Sequence, residues 1–157
     1  MNLVDRFESN NLVIERALTE EQILLLLVQF DSIFARSITS RVGALDVHAR
    51  KLADNALVYY ASSGGIIAGF VAFYSNDRTS MKAFITHLAV SDKYRGERIG
   101  VRLVQAAKVT AKQSGMTRMN LEVDTENISA IKFYEALGFS VIGAADSASV
   151  FMSCEHL

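Results

Sequence analysis

Apolar and polar positions along this chain recur with two periods, one of two residues and one of three to four, which are the periods of strands and helices. Seven segments fit the strand pattern and four fit the helix pattern. The predicted strands cover 11–17, 56–61, 66–74, 81–90, 118–123, 139–143 and 149–155, and the predicted helices cover 23–35, 47–56, 97–115 and 127–138.

Short polar residues and glycines mark the ends of these helices. Thr19 and Gln22 have capping-box spacing ahead of the first helix, and Asn127 stands where the last helix needs an N-cap. Asp46 is the expected N-cap of the second helix. Gly115 and Gly138 follow the third and fourth helices, where a residue with left-handed backbone commonly ends a helix.

The order of the elements favours a mixed α+β fold. Three strands follow one another in the middle of the chain, and a Ser-Ser-Gly-Gly turn at 62–65 joins the first two as a hairpin. This clustering argues against the regular alternation of a dinucleotide-binding fold. With no repeat or linker in the sequence, we expect one domain over 1–157, with a central sheet of about six or seven strands flanked by about four helices.

Composition limits where the protein can act. Half of the 157 residues are hydrophobic, but the longest apolar runs are too short to span a bilayer. The N-terminal residues lack the basic-then-apolar pattern of a signal peptide. Cys154 is the single cysteine, so no intramolecular disulfide can form. We therefore expect a cytoplasmic protein with no membrane partner.

Charge and histidine spacing exclude two classes of ligand. The chain has 16 basic and 17 acidic residues and a net charge of −1, so bulk electrostatics do not favour nucleic acid. His48, His87 and His156 are scattered and have no Cys or acidic neighbours at metal-site spacing. We expect neither a nucleic-acid partner nor a metal ion.

A basic, glycine-containing turn follows the apolar strand that ends at Val90. A loop that opens a helix presents free amides at the positive end of the helix dipole, where a phosphate can bind. Gly96 and Gly100 would let the backbone approach such a ligand, and Arg95 and Arg98 add positive charge. Neither the Walker P-loop spacing nor the Gly-x-Gly-x-x-Gly fingerprint is present.

The stretch LAVSDKYRGERIGVRLVQAA resembles the acetyl-CoA signature of the GCN5-related N-acetyltransferases (GNAT), whose core is [Q/R]-x-x-G-x-[G/A]. Arg95 and Gly100 match its first and last positions. The resemblance extends from about Asn11 to Phe151. It implies that acetyl-CoA is the co-substrate and that the turn amides hold its pyrophosphate; the residues concerned are Arg95, Gly96, Glu97, Arg98, Ile99, Gly100 and Val101.

Arg98 departs from this signature, which usually has glycine there. A left-handed backbone at a non-glycine residue costs about 1 kcal/mol. A helical backbone would avoid that penalty and let the guanidinium meet a phosphate. We expect the helical case, because Arg98 lies inside the helical pattern.

A second motif over 121–139 resembles the closing segment of the same family, N-x-x-A-x-x-[FL]-Y-x-x-x-G-F. Tyr134 would then give a proton to the departing CoA thiolate, although at this spacing it is also a natural core aromatic. Asn127 would contact the cofactor as well as cap its helix. Ala130 and Phe133 would pack against the pantetheine arm.

The resemblance also assigns a role to the end of the strand over 81–90. In that family this strand splays from its neighbour, pairs with pantetheine and polarises the thioester carbonyl through one amide, which stabilises the developing oxyanion. Leu88, Ala89 and Val90 would do so here.

The general base has several candidates. Glu122 lies in a segment similar to that of ribosomal-protein N-terminal acetyltransferases, where this glutamate is the base, but it could equally be a solvated carboxylate. His87 titrates in a suitable range and alternates with Leu88, although a lone histidine in an apolar strand is more often a core residue. Asp124 is a weaker candidate, and a chain of waters could also carry the proton.

The expected function is transfer of an acetyl group from acetyl-CoA to a primary amine by direct attack. The acceptor is expected to be a small molecule, such as an amino sugar, with a peptide N-terminus as the alternative. A sensor that binds acyl-CoA without turnover is a third hypothesis. Dimers are frequent in that family, so a homodimer is one state to test for. Four charges are candidates to line the acceptor pocket or to be solvated surface charges: Arg36, Arg41, Asp46 and Asp77.

Overall fold

The computed structural model describes residues 6–9, 11–34 and 36–157. Over these residues the chain forms eight strands and five α-helices. The strands are β1 Arg6–Ser9, β2 Leu12–Arg16, β3 Leu57–Ser63, β4 Ile66–Tyr74, β5 Lys82–Val90, β6 Arg118–Asp124, β7 Ser140–Ala144 and β8 Ser149–Cys154. The helices are α1 Glu20–Phe30, α2 Ile38–Val42, α3 Leu45–Asn55, α4 Ile99–Gln113 and α5 Ile128–Ala136.

All eight described strands belong to one mixed sheet. Their order is β1-β2-β3-β4-β5-β6-β8-β7, and β5 with β6 is the parallel pair, every other neighbouring pair being antiparallel. The mixed α+β class is therefore confirmed. The described sheet has one strand more than expected, because the short edge strand β1 adds to β2.

Two apolar cores lie on opposite faces of the sheet. The core on what we call the α4 face contains Ile99 and Leu103 of α4 and receives α5. The core on the α1 face contains Leu27 of α1 and Leu52 of α3. The sheet is thus covered by α4 and α5 on one side and by α1 to α3 on the other.

The predicted capping residues are confirmed at the start of α1 and at both ends of α5. Thr19 and Gln22 form the capping box, with the Gln22 amide donating to Thr19 Oγ1 over 3.1 Å. Asn127 Oδ1 accepts from the Ala130 amide at 3.2 Å, and Gly138 has a φ of +93°.

Two helix predictions in the N-terminal half are wrong, and one short helix there was not predicted. Helix α1 ends at Phe30, short of the predicted 35, and residue 35 itself lies outside the described residues. A separate short helix, α2, follows, capped by Ser37. Asp46 does not cap α3, because that helix already begins at Leu45. Its carboxylate instead accepts from the amide of the next residue at 2.9 Å.

A bulge in β5 changes which side chains share a face. Ile85 pairs with Phe73 and His87 pairs with Ala72, so Thr86 is an extra residue in the ladder. Ile85 and Leu88 consequently both contact the α4-face core. His87 faces away from Leu88, as expected, but it does not share the face of Ile85.

Candidate active site

A cleft opens where β5 and β6 part. The two strands pair only from Lys82 with Arg118 to Ile85 with Leu121, whereas β5 continues to Val90 and β6 to Asp124. Beyond the last pair, backbone groups on this edge of β5 have no neighbouring strand, and an extended ligand can supply the missing partners. Leu88, Ala89 and Val90 lie along this edge, where the sequence predicted a cofactor contact.

The turn between β5 and α4 forms an amide-lined pocket for an anion. A short 3-10 turn over Asp92–Tyr94 leads into Gly96, whose φ is +86°, and then into the N-terminus of α4. The first amides of that helix, at Ile99, Gly100 and Val101, have no intrahelical acceptor. They coincide with the positive end of the helix dipole, so this turn suits a phosphate group.

The expectation that Arg98 has helical backbone is wrong. Arg98 is the N-cap of α4, with a φ of +61° and a ψ of +21°, in the left-handed region. Its side chain is exposed and gives the cap no hydrogen bond. The chain must turn sharply between Gly96 and Ile99, and this requirement overrides the helical periodicity of the sequence.

Gly100 is needed for packing between helices. A Cβ at this position would lie 3.2 Å from Phe133 Cζ and 3.5 Å from Val90 Cγ2. The sequence suggested that this glycine lets a ligand approach. The structure adds that it lets α5 approach the start of α4, which places the motif helix beside the cleft.

Helix α5 presents its apolar stripe to the α4-face core through Ala130, Phe133 and Tyr134. The Phe133 and Tyr134 rings meet edge to face with centroids 5.1 Å apart. Burial raises the pKa of the Tyr134 phenol above its ordinary value, so this group is a neutral proton donor at physiological pH. The Asn127 side-chain oxygen is already engaged in capping, which leaves its amide NH₂ for a ligand.

Glu122 lies on the other face of the sheet. Its neighbours Leu121 and Val123 are buried in the α4-face core, so strand alternation directs Glu122 to the α1 face. It is exposed, and its Oε1 lies 2.5 Å from the hydroxyl of Ser149. Tyr134, on a helix of the α4 face, and Glu122, on the α1 face, therefore lie on opposite sides of the sheet.

The fold brings together two histidines that are 39 residues apart in sequence. His48 of α3 and His87 of β5 are both buried, with their Nε2 atoms 2.8 Å apart. Arg41 Nη2 lies 3.5 Å from His87 Nδ1. A guanidinium only donates, so a hydrogen bond from Arg41 would require Nδ1 to accept, with the His87 proton on Nε2 facing His48. No spacing pattern along the chain pointed to this pair.

The histidine pair is held neutral. Burial, followed by the charge of Arg41 and the neighbouring His48, lowers the pKa of His87 to about 3. Burial, together with Lys51 and Arg41, also lowers the pKa of His48. A buried imidazole with so low a pKa binds a proton weakly at neutral pH, which favours Glu122 or water over His87 as the base.

An open pocket of about 560 Å³ lies beside this pair on the α1 face. Of the four predicted acceptor residues, Arg41 lines this pocket, while Asp77 lines a neighbouring pocket of about 500 Å³. Arg36 instead forms an ion pair with Asp124 at 2.6 Å. This ion pair engages Asp124, which is the weaker of the two carboxylates considered as the general base. The pocket of about 560 Å³ is lined by Arg41, Val42, Val47, His48, Lys51, Tyr74, Phe84 and Thr86.

Comparison with known proteins identifies the family to which this chain belongs. The sequence model described as Acetyltransferase (GNAT) family matches residues 27–139, which is more than half of the chain. The chain belongs to the GNAT family. The enzyme class expected from the motifs, acyltransferase, agrees with this family. The predicted cofactor residues lie on the edge of β5, in the turn with the first residues of α4, and in α5 with its N-cap; their roles in binding a cofactor stay predictions.

Individual relatives differ in what they are named for. N-alpha-acetyltransferase 30 of Schizosaccharomyces pombe is 38% identical over 61 residues, which is 39% of this chain and 41% of that protein. Ard1 from Thermoplasma volcanium is 25% identical with a TM-score of 0.73, over 94% of this chain and 99% of that one. A Bacillus anthracis protein assigned as a streptothricin acetyltransferase, solved with acetyl coenzyme A, is 30% identical with a TM-score of 0.59, over 66% of this chain and 63% of that one.

The chain spans less than half the length of the curated relatives it matches. Across the described residues no helix is long and apolar enough to cross a membrane. The same residues contain no group of three or more His, Cys, Asp or Glu side chains arranged to hold a metal ion.

Proposed function

We propose that this GNAT-family chain transfers an acetyl group from acetyl-CoA to a primary amine. The observation that carries the proposal is that β5 and β6 separate at a point where the two faces of the sheet carry different chemical groups. The α4 face offers free helix amides for a diphosphate and a neutral phenol at Tyr134. The α1 face offers the carboxylate of Glu122 and an open pocket.

This arrangement supports a direct transfer. Glu122, or a water held by it, takes a proton from the acceptor ammonium, and the free amine attacks the thioester carbonyl. A C–N bond forms and the C–S bond breaks. An amide on the edge of β5, among Leu88, Ala89 and Val90, stabilises the oxyanion that develops. Tyr134 gives its proton to the departing thiolate, whose ordinary pKa is near 8.5. The nitrogen loses its remaining extra proton to water as the adduct collapses, and the phenolate of Tyr134 is reprotonated from solvent.

We further propose roles for the cofactor residues. The amides from Gly96 to Val101 would hold the pyrophosphate, with Arg95 and Arg98 supplying charge near it. Arg95 itself is paired with Asp92 over 2.7 Å, so its contribution requires that exposed pair to loosen. The contact between Phe133 and Gly100 would form the wall along which the pantetheine arm lies. Neither a metal ion nor a covalent enzyme intermediate is required by these steps.

A small-molecule amine is the acceptor we propose, because the α1-face pocket, at about 560 Å³, has the volume of a small-ligand site and lies beside Thr86 at the start of the cleft. A peptide N-terminus is the second candidate. Glu122 favours it, as do the names of N-alpha-acetyltransferase 30 and Ard1 among the similar proteins. The homodimer and the cytoplasmic location stay predictions.

A thiol-release assay tests the proposal. The protein is incubated with acetyl-CoA and a panel of amines that includes amino sugars, amino acids and short peptides, while calorimetry measures CoA binding separately. Thiol release that depends on one class of amine would support the proposal and name the acceptor class. Tight binding without release across the panel would favour the sensor hypothesis, and absence of binding would overturn both.

A further inference from the structure

Arg41 is an exposed residue that lines the α1-face pocket, and its guanidinium is only partly covered by its neighbours. It lies over the Phe34 ring, 4.9 Å from the centroid, and approaches Nδ1 of the neutral His87. Among the described residues, no carboxylate oxygen comes within 4.0 Å of it. Burial and the nearby Arg36 lower the pKa of Arg41, a direction expected for a cation whose charge is poorly compensated.

The carboxylates in its surroundings are already engaged elsewhere. Three of them attract Arg41 at longer range, but each has a nearer partner of its own. The pairs are Asp124 with Arg36 at 2.6 Å, Asp31 with the Thr39 amide at 2.7 Å, and Glu122 with the Ser149 hydroxyl at 2.5 Å. Among the described residues these carboxylates act on Arg41 only at a distance, so its guanidinium has no direct carboxylate contact and can donate to an anion that a ligand brings.

The lining of the pocket around Arg41 also favours an anionic ligand. Lys51 is the second cation in its lining, His48 is neutral, and no aspartate or glutamate is among the lining residues. The remaining walls are apolar or aromatic, including Tyr74 and Phe84. A pocket with a few charged groups on apolar walls is typical of a small-ligand site.

This pocket adjoins the point where the strands part. Thr86, which lines it, follows Ile85, the last residue of β5 that pairs with β6. Glu122 follows Leu121, the partner of Ile85, and faces the same side of the sheet. A small acceptor held at Arg41 would therefore have its far end near Glu122 and the cleft.

We propose that the acceptor of this transferase carries a carboxylate as well as its amine, and that Arg41 binds the carboxylate with Lys51 at the pocket mouth. The inference rests on the function proposed above. A planar guanidinium fork matches the two oxygens of a carboxylate. Two sources present this chemistry, a free amino acid and an acidic residue at the start of a peptide.

Matched acceptor pairs test the carboxylate. Free amino acids are compared with their carboxamides, and C-terminally amidated peptides that begin with Asp or Glu are compared with those that begin with Asn or Gln. In one of the two arms the carboxylate member should have a kcat/KM at least about tenfold higher, since the amide member loses at least one charge-assisted hydrogen bond. The arm in which this happens identifies the source. Equal rates within both arms, or preference for a phosphorylated amine, would overturn the proposal.

Variants of Arg41 assign the effect to this pocket. Arg41→Gln should raise KM for the carboxylate acceptor about tenfold or more, with kcat and the KM of the amide analogue nearly unchanged, and Arg41→Lys should restore part of the affinity. Arg50→Gln is the matched control, since Arg50 is an exposed residue of α3 outside the pocket lining. An equal loss for both acceptors in Arg41→Gln, or the same KM change in Arg50→Gln, would contradict the assignment.

Direct binding separates this proposal from the proposed reaction. If no amine releases thiol, glutarate is titrated into wild-type protein and Arg41→Gln by NMR at low salt, with circular dichroism confirming that the variant is folded. Saturable binding that is lost in Arg41→Gln supports the anion site even though the transfer reaction has failed. Absence of saturable binding to the wild type refutes the anion site as well.

Discussion

The two faces that meet at the parting strands are built in different ways. The α4 face takes its anion turn from 95–101 and its apolar wall from α5, so each part is a short continuous segment that acts largely through backbone or spacing. The α1 face is assembled from single side chains on α2, α3 and β5, such as Arg41, His48 and Thr86. The difference suggests that the binding of a common cofactor is encoded locally, whereas acceptor choice depends on tertiary packing.

The α4 face and the α1 face also differ in their electrostatics. The turn before α4 offers exposed positive charge and free amides, and one of its arginines, Arg95, is already paired at the surface. On the α1 face, burial holds His48 and His87 neutral beside Arg41, which pairs with no carboxylate among the described residues. The arginines of the turn are screened by salt and water, whereas Arg41 lies against the Phe34 ring and a neutral, buried imidazole, where a bound anion is screened less. The two faces should therefore respond differently to substitution.

The largest effect is expected on the α4 face, at Tyr134. Tyr134→Phe removes the proton donor but keeps the ring contacts with Phe133 and Phe139. We expect kcat to fall about 100-fold, which is at the lower end of general acid catalysis, with little change in the affinity for acetyl-CoA. Steady-state thiol release and calorimetry measure the two quantities. Unchanged turnover would leave Tyr134 as a packing residue only.

The next effect tests the α1 face at Glu122. Glu122→Gln should lower kcat/KM about tenfold and flatten the low-pH limb of the rate profile, because the amide cannot accept a proton. Glu21→Gln, on the exposed surface of α1, serves as the control. A profile identical to that of wild type would move the base function to water or to the histidine pair.

Sequence reasoning succeeded where structure depends on near neighbours. The capping residues Thr19 and Asn127 and the turn that opens α4 could all be found from spacing. It failed at Thr86, because a bulge depends on the partner strand β4 and shifts every later side chain of β5 to the other face. It also missed the contact between His48 and His87, which exists only when α3 packs on the sheet.

A smaller effect should appear in the pH dependence of stability. Since the pKa of His87 is lowered to about 3, the unfolded chain binds more protons than the folded one between that value and the ordinary 6.5. The free energy of unfolding should fall as pH drops below about 6.5, by at most about 1.4 kcal/mol per pH unit for each such histidine.

Urea unfolding at pH 7.5 and pH 5 measures this loss in wild type and in His87→Gln. The variant should be less stable at pH 7.5, because it replaces a buried residue, but its stability should decline less between the two pH values. His156→Gln changes an exposed histidine and should leave the decline intact. If His87→Gln and wild type lose the same free energy over this range, His87 is not the residue that takes up the proton.

The smallest effect is expected at Arg98, where two substitutions separate the effect of the backbone conformation from the effect of the charge. Arg98→Gly relieves the left-handed strain, worth about 1 kcal/mol, but makes the unfolded chain more flexible, so we expect the free energy of unfolding to rise by less than about 1 kcal/mol. Arg98→Ala removes the same charge and keeps the strain, and it should therefore be the less stable of the two.

Calorimetric titration of CoA at two salt concentrations then isolates the guanidinium. Both Arg98 variants should bind CoA a few-fold more weakly than wild type at low salt and more nearly equally at high salt, since an exposed charge is screened. Wild-type affinity in both variants would mean that the amides of this turn hold the diphosphate without help from Arg98. Tighter binding in Arg98→Gly alone would mean instead that the strained backbone, and not the charge, limits the α4 face.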